Sequence, residues 1–163
     1  MLHALTAMRA PVPLDIVGDG PNRANLQELA KQLGVDSRIT WHGQLPQGKV
    51  APLYQSAAAV VVPSIDEGLG MVAVEALLCE APVVAFDSGG LRDVIQHEKT
   101  GLLVKPGDRA ELARTLDDVL ARDGNGADLG RAGRLYALSA FAPESAARRY
   151  AEIYRHAIGG NAS

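Results

Sequence analysis

At 163 residues the chain has the size of one domain with a substantial core, and its 47% hydrophobic and 21% charged residues are ordinary for a globular protein. A formal charge of −3 and only 4% aromatic residues argue against nucleic acid as a partner, which calls for a basic face or stacking platforms. One cysteine, Cys79, permits no internal disulfide, and no apolar run nears the roughly 18 residues of a membrane span.

Met1 to Ala10 carries leucines and methionines at near-helical spacing, until Pro11 and Pro13 end the helix. Leu14 to Gly18 follows as a short buried strand, Asp19-Gly20-Pro21 as a turn, and a helix with Leu26, Leu29, Ala30 and Leu33 on one face closes at Gly34. Arg38 to His42 reads as a strand, Gly43 to Gly48 as loop, Lys49 to Ser56 as a short helix and Ala57 to Val62 as a fully buried strand. After a loop and an apolar helix, Pro82 opens the strand Val83 to Phe86, a short helix covers Leu91 to Ile95, and Leu102 to Val104 is the last strand. Asp108 caps an amphipathic helix with Leu112, Leu116, Val119 and Leu120 on one face. Gly124-Asn125-Gly126 breaks it, and helices follow over about Leu129 to Ser139 and Glu144 to Ile158. One domain over 1–158 with a disordered tail over 159–163 is expected.

Short strands alternating with helices predict an α/β fold, a Rossmann-like parallel sheet with helices on both faces. Such sheets bind ligands beyond the carboxyl ends of their strands. The loops Gly18–Pro21, Ile65–Gly70 and Ser88–Gly90 all follow strands and should gather there.

The most informative stretch is Pro63-Ser64-Ile65-Asp66-Glu67-Gly68-Leu69-Gly70-Met71-Val72-Ala73-Val74-Glu75-Ala76. A buried strand stops at proline, a turn with two glycines and two carboxylates follows, and an Ala-rich helix begins. Free amides and the positive dipole end at such a helix start attract phosphate, and Gly68 and Gly70 let backbone approach a ligand closely. Glu67 before the helix and Glu75 inside it suit hydroxyls at two ends of a ligand with negative charge between them. A nucleotide sugar has that layout.

This block, with Val17-Gly18-Asp19-Gly20-Pro21, Pro82 to Gly90, Gly101-Leu102-Leu103-Val104 and the closing helix around Tyr150 to Tyr154, resembles the C-terminal, donor-binding domain of family 4 retaining glycosyltransferases, which have the GT-B fold (glycosyl transferases group 1). The resemblance implies transfer of a hexose from a UDP- or GDP-linked donor to an unknown acceptor. It makes Glu67 the catalytic-site carboxylate on the donor sugar and Glu75 the ligand of the ribose hydroxyls. Gly68, Leu69, Gly70 and Met71 contribute backbone amides to sugar and diphosphate, Gly89 and Gly90 stand beside the phosphates, and Gly18 and Gly20 border a secondary part of the cleft. Leu69 stands where the family often has phenylalanine. Glu80 stands where it usually has glycine, at a left-handed helix end costing a non-glycine residue about 1–2 kcal/mol.

No cofactor is implied. His3, His42, His97 and His156 are scattered without metal-ligand spacing, and such enzymes need no divalent cation to hold the diphosphate. Gly18-Asp19-Gly20 lacks the third glycine of a dinucleotide fingerprint. Cys79 reads as an inert thiol and Trp41 as core. The arginine and lysine that hold the leaving diphosphate in the family are absent, as is the N-terminal acceptor-binding domain, so the chain alone is expected not to transfer sugar at a useful rate. The chain reads as cytoplasmic, with peripheral contact at the inner face of a membrane left to a partner domain. A non-catalytic nucleotide-sugar binding module and a GT-B sugar-nucleotide epimerase are the alternative readings.

Five strands are expected, and the first, central strand of the doubly wound order is missing between Leu14–Val17 and Ala57–Val62. The gap should close by direct pairing, be filled by another chain through self-association, or leave the chain poorly stable.

Overall fold

The computed structural model describes residues 1–159. In chain order the elements are α1 (Leu2–Ala7), β1 (Leu14–Val17), α2 (Arg23–Gln32), β2 (Ile39–Gly43), α3 (Gln47–Ser56), β3 (Val60–Val62) and α4 (Met71–Leu78). Then come β4 (Val83–Phe86), α5 (Leu91–Val94), β5 (Leu102–Val104), α6 (Arg109–Ala121), α7 (Ala127–Ala140) and α8 (Pro143–Gly159). Of the tail expected over 159–163, Gly159 closes α8 and the rest lies outside the described residues. No described helix is long and apolar enough to cross a membrane.

All five strands run parallel, in two sheets: β1 beside β2, and β3-β4-β5. Direct closure does not occur, since β1 and β3 share no ladder among the described residues. The expected strand over Ala57 to Val62 is shorter and less buried than its apolar run suggested. Ala57 caps the end of α3, only the valines pair, and two of the three are half-buried on a strand with one unpaired edge. Asp36–Arg38 forms a 3₁₀ turn, so β2 starts one residue later than expected.

β4 has strands on both edges and helices on both faces, which a continuous Val-Val-Ala-Phe run requires. Alternation sends Val83 and Ala85 into a cluster with Ala73, Val74, Ala76 and Leu77 of α4 and Ala137 of α7. Val84 and Phe86 go to the opposite face, with Leu112, Leu116 and Val119 of α6 and Ala4 of α1. Asp108 caps α6, accepting the Glu111 amide at 2.9 Å, while the Glu111 carboxylate accepts the Lys105 amide at 2.9 Å.

Helix α1 joins the two sheets. Leu2 and Leu5 pack with Ala30 and Val35 over β1 and β2, Ala4 packs on the α6 side, and Met1 and Met8 touch both clusters. The chain leaving α1 is pinned to α6: the Arg9 amide donates to both Asp117 carboxylate oxygens at 3.1 Å, and Asp117 is buried. On the other side, Arg38 donates from Nε to the Val12 carbonyl at 3.0 Å and from Nη1 to the Leu5 carbonyl at 3.4 Å.

Helices α2 and α4 end identically in hydrogen bonding. In α2 the Val35 amide reaches the Ala30 carbonyl and the Gly34 amide that of Lys31; in α4 the Ala81 amide reaches Ala76 and the Glu80 amide Leu77. This is the Schellman arrangement, whose penultimate donor adopts left-handed backbone. Gly34 does so at φ 68° and Glu80 at φ 62°, so Glu80 takes the strained conformation its position predicted. Arg134 of α7 supports this end, donating to the Leu78 carbonyl at 3.1 Å and standing 3.7 Å from the Glu80 carboxylate.

Candidate functional site

β3 ends at Pro63, which has no amide for a ladder, and the chain leaves the carboxyl edge of the sheet for the loop that precedes α4. Gly70 turns it into the helix with left-handed backbone, φ 78° and ψ 44°; a methyl there would stand 2.8 Å from Leu91 Cδ2. No side chain caps α4, and among the described residues the amides of 68–72 donate to no protein acceptor. Five successive donors therefore stand at the positive end of a helix.

Two hydrogen bonds hold this row in place. The Gly90 amide donates to the Glu67 carbonyl at 3.0 Å, and Ser88 Oγ donates to the Ser64 carbonyl at 2.7 Å. The contact needs glycines on the facing turn. A methyl on Gly90 would stand 1.8 Å from the Gly68 carbonyl oxygen, and one on Gly89 would stand 2.5 Å from that of Glu67. Within the protein, then, Gly89 and Gly90 approach the Glu67–Gly68 backbone. Gly68 itself has open space around it. Ile65, Leu69, Met71 and Val72 expose their side chains around the row, and Glu67 is half-buried beside it.

Glu75 lies in the second turn of α4, half-buried on the side that faces α3. There a cavity of about 150 Å³ separates Val50 and Tyr54 from Glu75, Leu78 and Cys79. The Tyr54 phenol pKa is pushed above its ordinary value, first by burial and then by the nearby Glu75 carboxylate. Burial likewise pushes the Cys79 thiol up, Arg134 opposes this and Glu75 adds to it.

Of the three loops expected to gather, Ile65–Gly70 and Ser88–Gly90 meet through the Gly90–Glu67 and Ser88–Ser64 bonds. The Gly18–Pro21 loop ends the other sheet: the Gly18 amide donates to the Gly43 carbonyl at 2.7 Å, and Asp19 pairs with Arg23. Gly18 and Gly20 both face open space. A larger concavity of about 490 Å³ lies beyond β4 and β5, lined by Asp87, Arg92, His97, Lys105 and Glu111 among others, but none of the candidate donor-site residues lines it. Several of its polar groups are occupied with one another or with backbone: Arg92 Nε donates to Asp87 at 2.6 Å, and His97 Nδ1 accepts the Leu103 amide at 3.0 Å. Trp41 is half-buried in the β1–β2 cluster, and His42 stands 2.6 Å from Asp15 across the two strands. Among the described residues no three His, Cys, Asp or Glu side chains gather as a metal site.

Sequence reasoning missed Tyr54. It lies in another helix, and only its place on the Val50–Tyr54 face of α3, one turn apart, hints that it meets the next helix.

Residues 1–136 match the family described as Glycosyl transferases group 1. The chain belongs to that family. This group 1 domain is 36% identical over 171 aligned residues to the D-inositol 3-phosphate glycosyltransferase of Frankia alni, with 97% of the chain and 42% of that protein covered. It is 35% identical over 144 residues to the 2-deoxystreptamine glucosyltransferase of Streptomyces kanamyceticus, covering 88% of the chain and 37% of that protein. Among solved structures, Anabaena HepE in complex with UDP superposes with a TM-score of 0.84 at 26% identity, covering 94% of the chain and 43% of HepE. The fold is that of GT-B glycosyltransferases, and the group 1 domain spans about two fifths of the length of the curated relatives it matches.

Proposed function

We propose that this chain binds the nucleoside diphosphate sugar donor in a retaining hexosyltransferase. The observation that carries the reading is the row of free amides over 68–72, held by the Gly90–Glu67 bond, with Glu67 before it and Glu75 a turn beyond. Amides at a helix start stabilise a diphosphate. Glu67 then orients the sugar hydroxyls and Glu75 holds the ribose. The UDP held by HepE and the glucosyl transfer named for the Streptomyces relative support a UDP-linked hexose, with a GDP-linked donor as the other choice. During transfer the bond from sugar C1 to the phosphate oxygen breaks, a bond to the acceptor oxygen forms with the configuration kept, and the acceptor proton leaves with the diphosphate.

Transfer needs an acceptor-binding domain and basic groups for the departing diphosphate, neither found among these residues. Of the basic side chains near the loops, Arg23 is paired with Asp19 and Arg92 with Asp87, while Lys49 has no ion pair among the described residues. The free edges of β1 and β3 are where a further strand, from a longer chain or a second copy, pairs.

Calorimetric titration with UDP, GDP and their glucose conjugates tests the reading. Glu75→Ala weakens every nucleotide, and Glu67→Ala weakens only the sugar-bearing ones, each by about 1.5–3 kcal/mol for a hydrogen bond to a charged group. Equal losses on free diphosphate from both substitutions would refute the division of roles.

A further inference from the structure

The α3–α4 cavity, at about 150 Å³, is half the volume at the lower end of pockets that enclose a whole ligand, roughly 300 Å³. It admits one moiety. Its walls are apolar at Val50, Ala51 and Leu78, and its oxygen-bearing side chains are Gln47, Tyr54 and Glu75. A glutamate reaching into such a space has three rotatable bonds and up to four lone-pair directions to satisfy. Without a fixed partner its carboxylate would swing between rotamers, and an acceptor that must meet two adjacent hydroxyls at once needs a single orientation.

We propose that Tyr54 is the positioning residue for Glu75, its phenol donating to one carboxylate oxygen so that the other is presented to ribose. The inference rests on the reading of Glu75 as the ribose acceptor. The two side chains come from facing helices that pack directly on one another, α3 and α4, and line the same small cavity. Tyr54 is itself packed against the cluster formed by α4 and β4, which fixes its ring. Burial and Glu75 hold the phenol above its ordinary pKa, so it keeps its proton and remains a donor throughout the neutral range. A phenol fixed in this way keeps the carboxylate aimed, and it makes no contact with the ligand.

The test uses the full chain, titrated with UDP and GDP and with their 2′,3′-dideoxy counterparts, so that the readout is the preference for ribose. The unmodified chain should prefer ribose by tenfold or more, and Glu75→Gln should abolish the preference. Tyr54→Phe, which removes one oxygen and keeps the ring, should lower it about three- to tenfold while leaving the dideoxy affinity unchanged. In the Glu75→Gln background, Tyr54→Phe should have no further effect. If Tyr54→Phe keeps the full preference while Glu75→Gln loses it, the positioning role is overturned and the reading of Glu75 stands. Equal weakening of ribo and dideoxy ligands by Tyr54→Phe also overturns it, because the tyrosine then only supports the helix packing. Full retention of the preference by Glu75→Gln overturns the reading of Glu75 itself.

Discussion

Replacing Gly90 with alanine tests whether the turn after β4 sets the position of the amide row. Gly90 has φ −67° and ψ −9°, which alanine adopts freely, so the perturbation is steric alone. The new methyl would stand 1.8 Å from the Gly68 carbonyl oxygen, 2.8 Å from the Gly68 carbonyl carbon and 2.9 Å from Leu69 Cα, where ordinary contact starts near 3.4 Å. All three neighbours are backbone and none can rotate away. One loop must recede by about 1.5 Å in a packed environment, which costs about 1–3 kcal/mol as overpacking. The Gly90–Glu67 hydrogen bond goes with it, about 0.5–1.5 kcal/mol more. A loss of about 2–4 kcal/mol lowers Tm by roughly 5–15 °C in a domain of this size. Donors displaced by more than 1 Å should also lose UDP affinity by about tenfold or more. Thermal denaturation followed by circular dichroism and UDP titration read the two effects. Gly68→Ala, placed in open space, is the stability control and should stay within about 0.5 kcal/mol. A Gly90→Ala chain that melts within about 1 °C of the parent would refute the argument.

Glu80→Gly should stabilise the chain by about 1 kcal/mol in chemical denaturation, because the relief of left-handed strain, about 1–2 kcal/mol, exceeds the exposed ion pair with Arg134, about 0–1 kcal/mol. Asp117→Ala should cost about 1–3 kcal/mol by the same measurement, since it strands the Arg9 amide and loosens α1 from α6. Tyr54 has a folded pKa raised above its unfolded value of 10.0, so its contribution is complete below pH 10 and is lost as pH climbs towards the folded value. Tyr54→Phe should remove that part of the alkaline loss in a pH series of melts.

Much of this fold was legible because local chemistry and tertiary structure agree. Val83 to Phe86 is apolar at every position, and both faces and both edges of β4 are covered. Asp108 lies at a cap and caps. Glu80 stood between a helix and Ala81-Pro82, where only a left-handed residue joins them, and it pays the strain. β3 was overread because Ala57 to Ala59 are apolar without being β-branched, and apolarity alone does not separate a helix end from a strand start. At the site, the glycines of the Ser88–Gly90 turn announce a close approach, but not what is approached. The pairing of Tyr54 with Glu75 depends on how two helices pack, which neither helix's own periodicity contains.

The division of the strands between two ladders also shapes how the molecule comes apart. Backbone hydrogen bonds transmit order from β3 through β4 to β5, and separately between β1 and β2, but among the described residues no ladder carries it from one set to the other. Coupling runs through the six residues of α1 with the side chains that anchor its ends, and through the packing of α3 on α4. Unfolding therefore has a natural seam. The β1–β2 half, with α1 and α2, can open as one cooperative unit at a lower free energy than the β4-centred half, so amide exchange should group the strand protons into two classes rather than one. The loop before α4 is tied to the β4-centred half through the Gly90–Glu67 bond, and the glycine turn after β1 to the other half. A single site spanning both would be built from parts of unequal persistence.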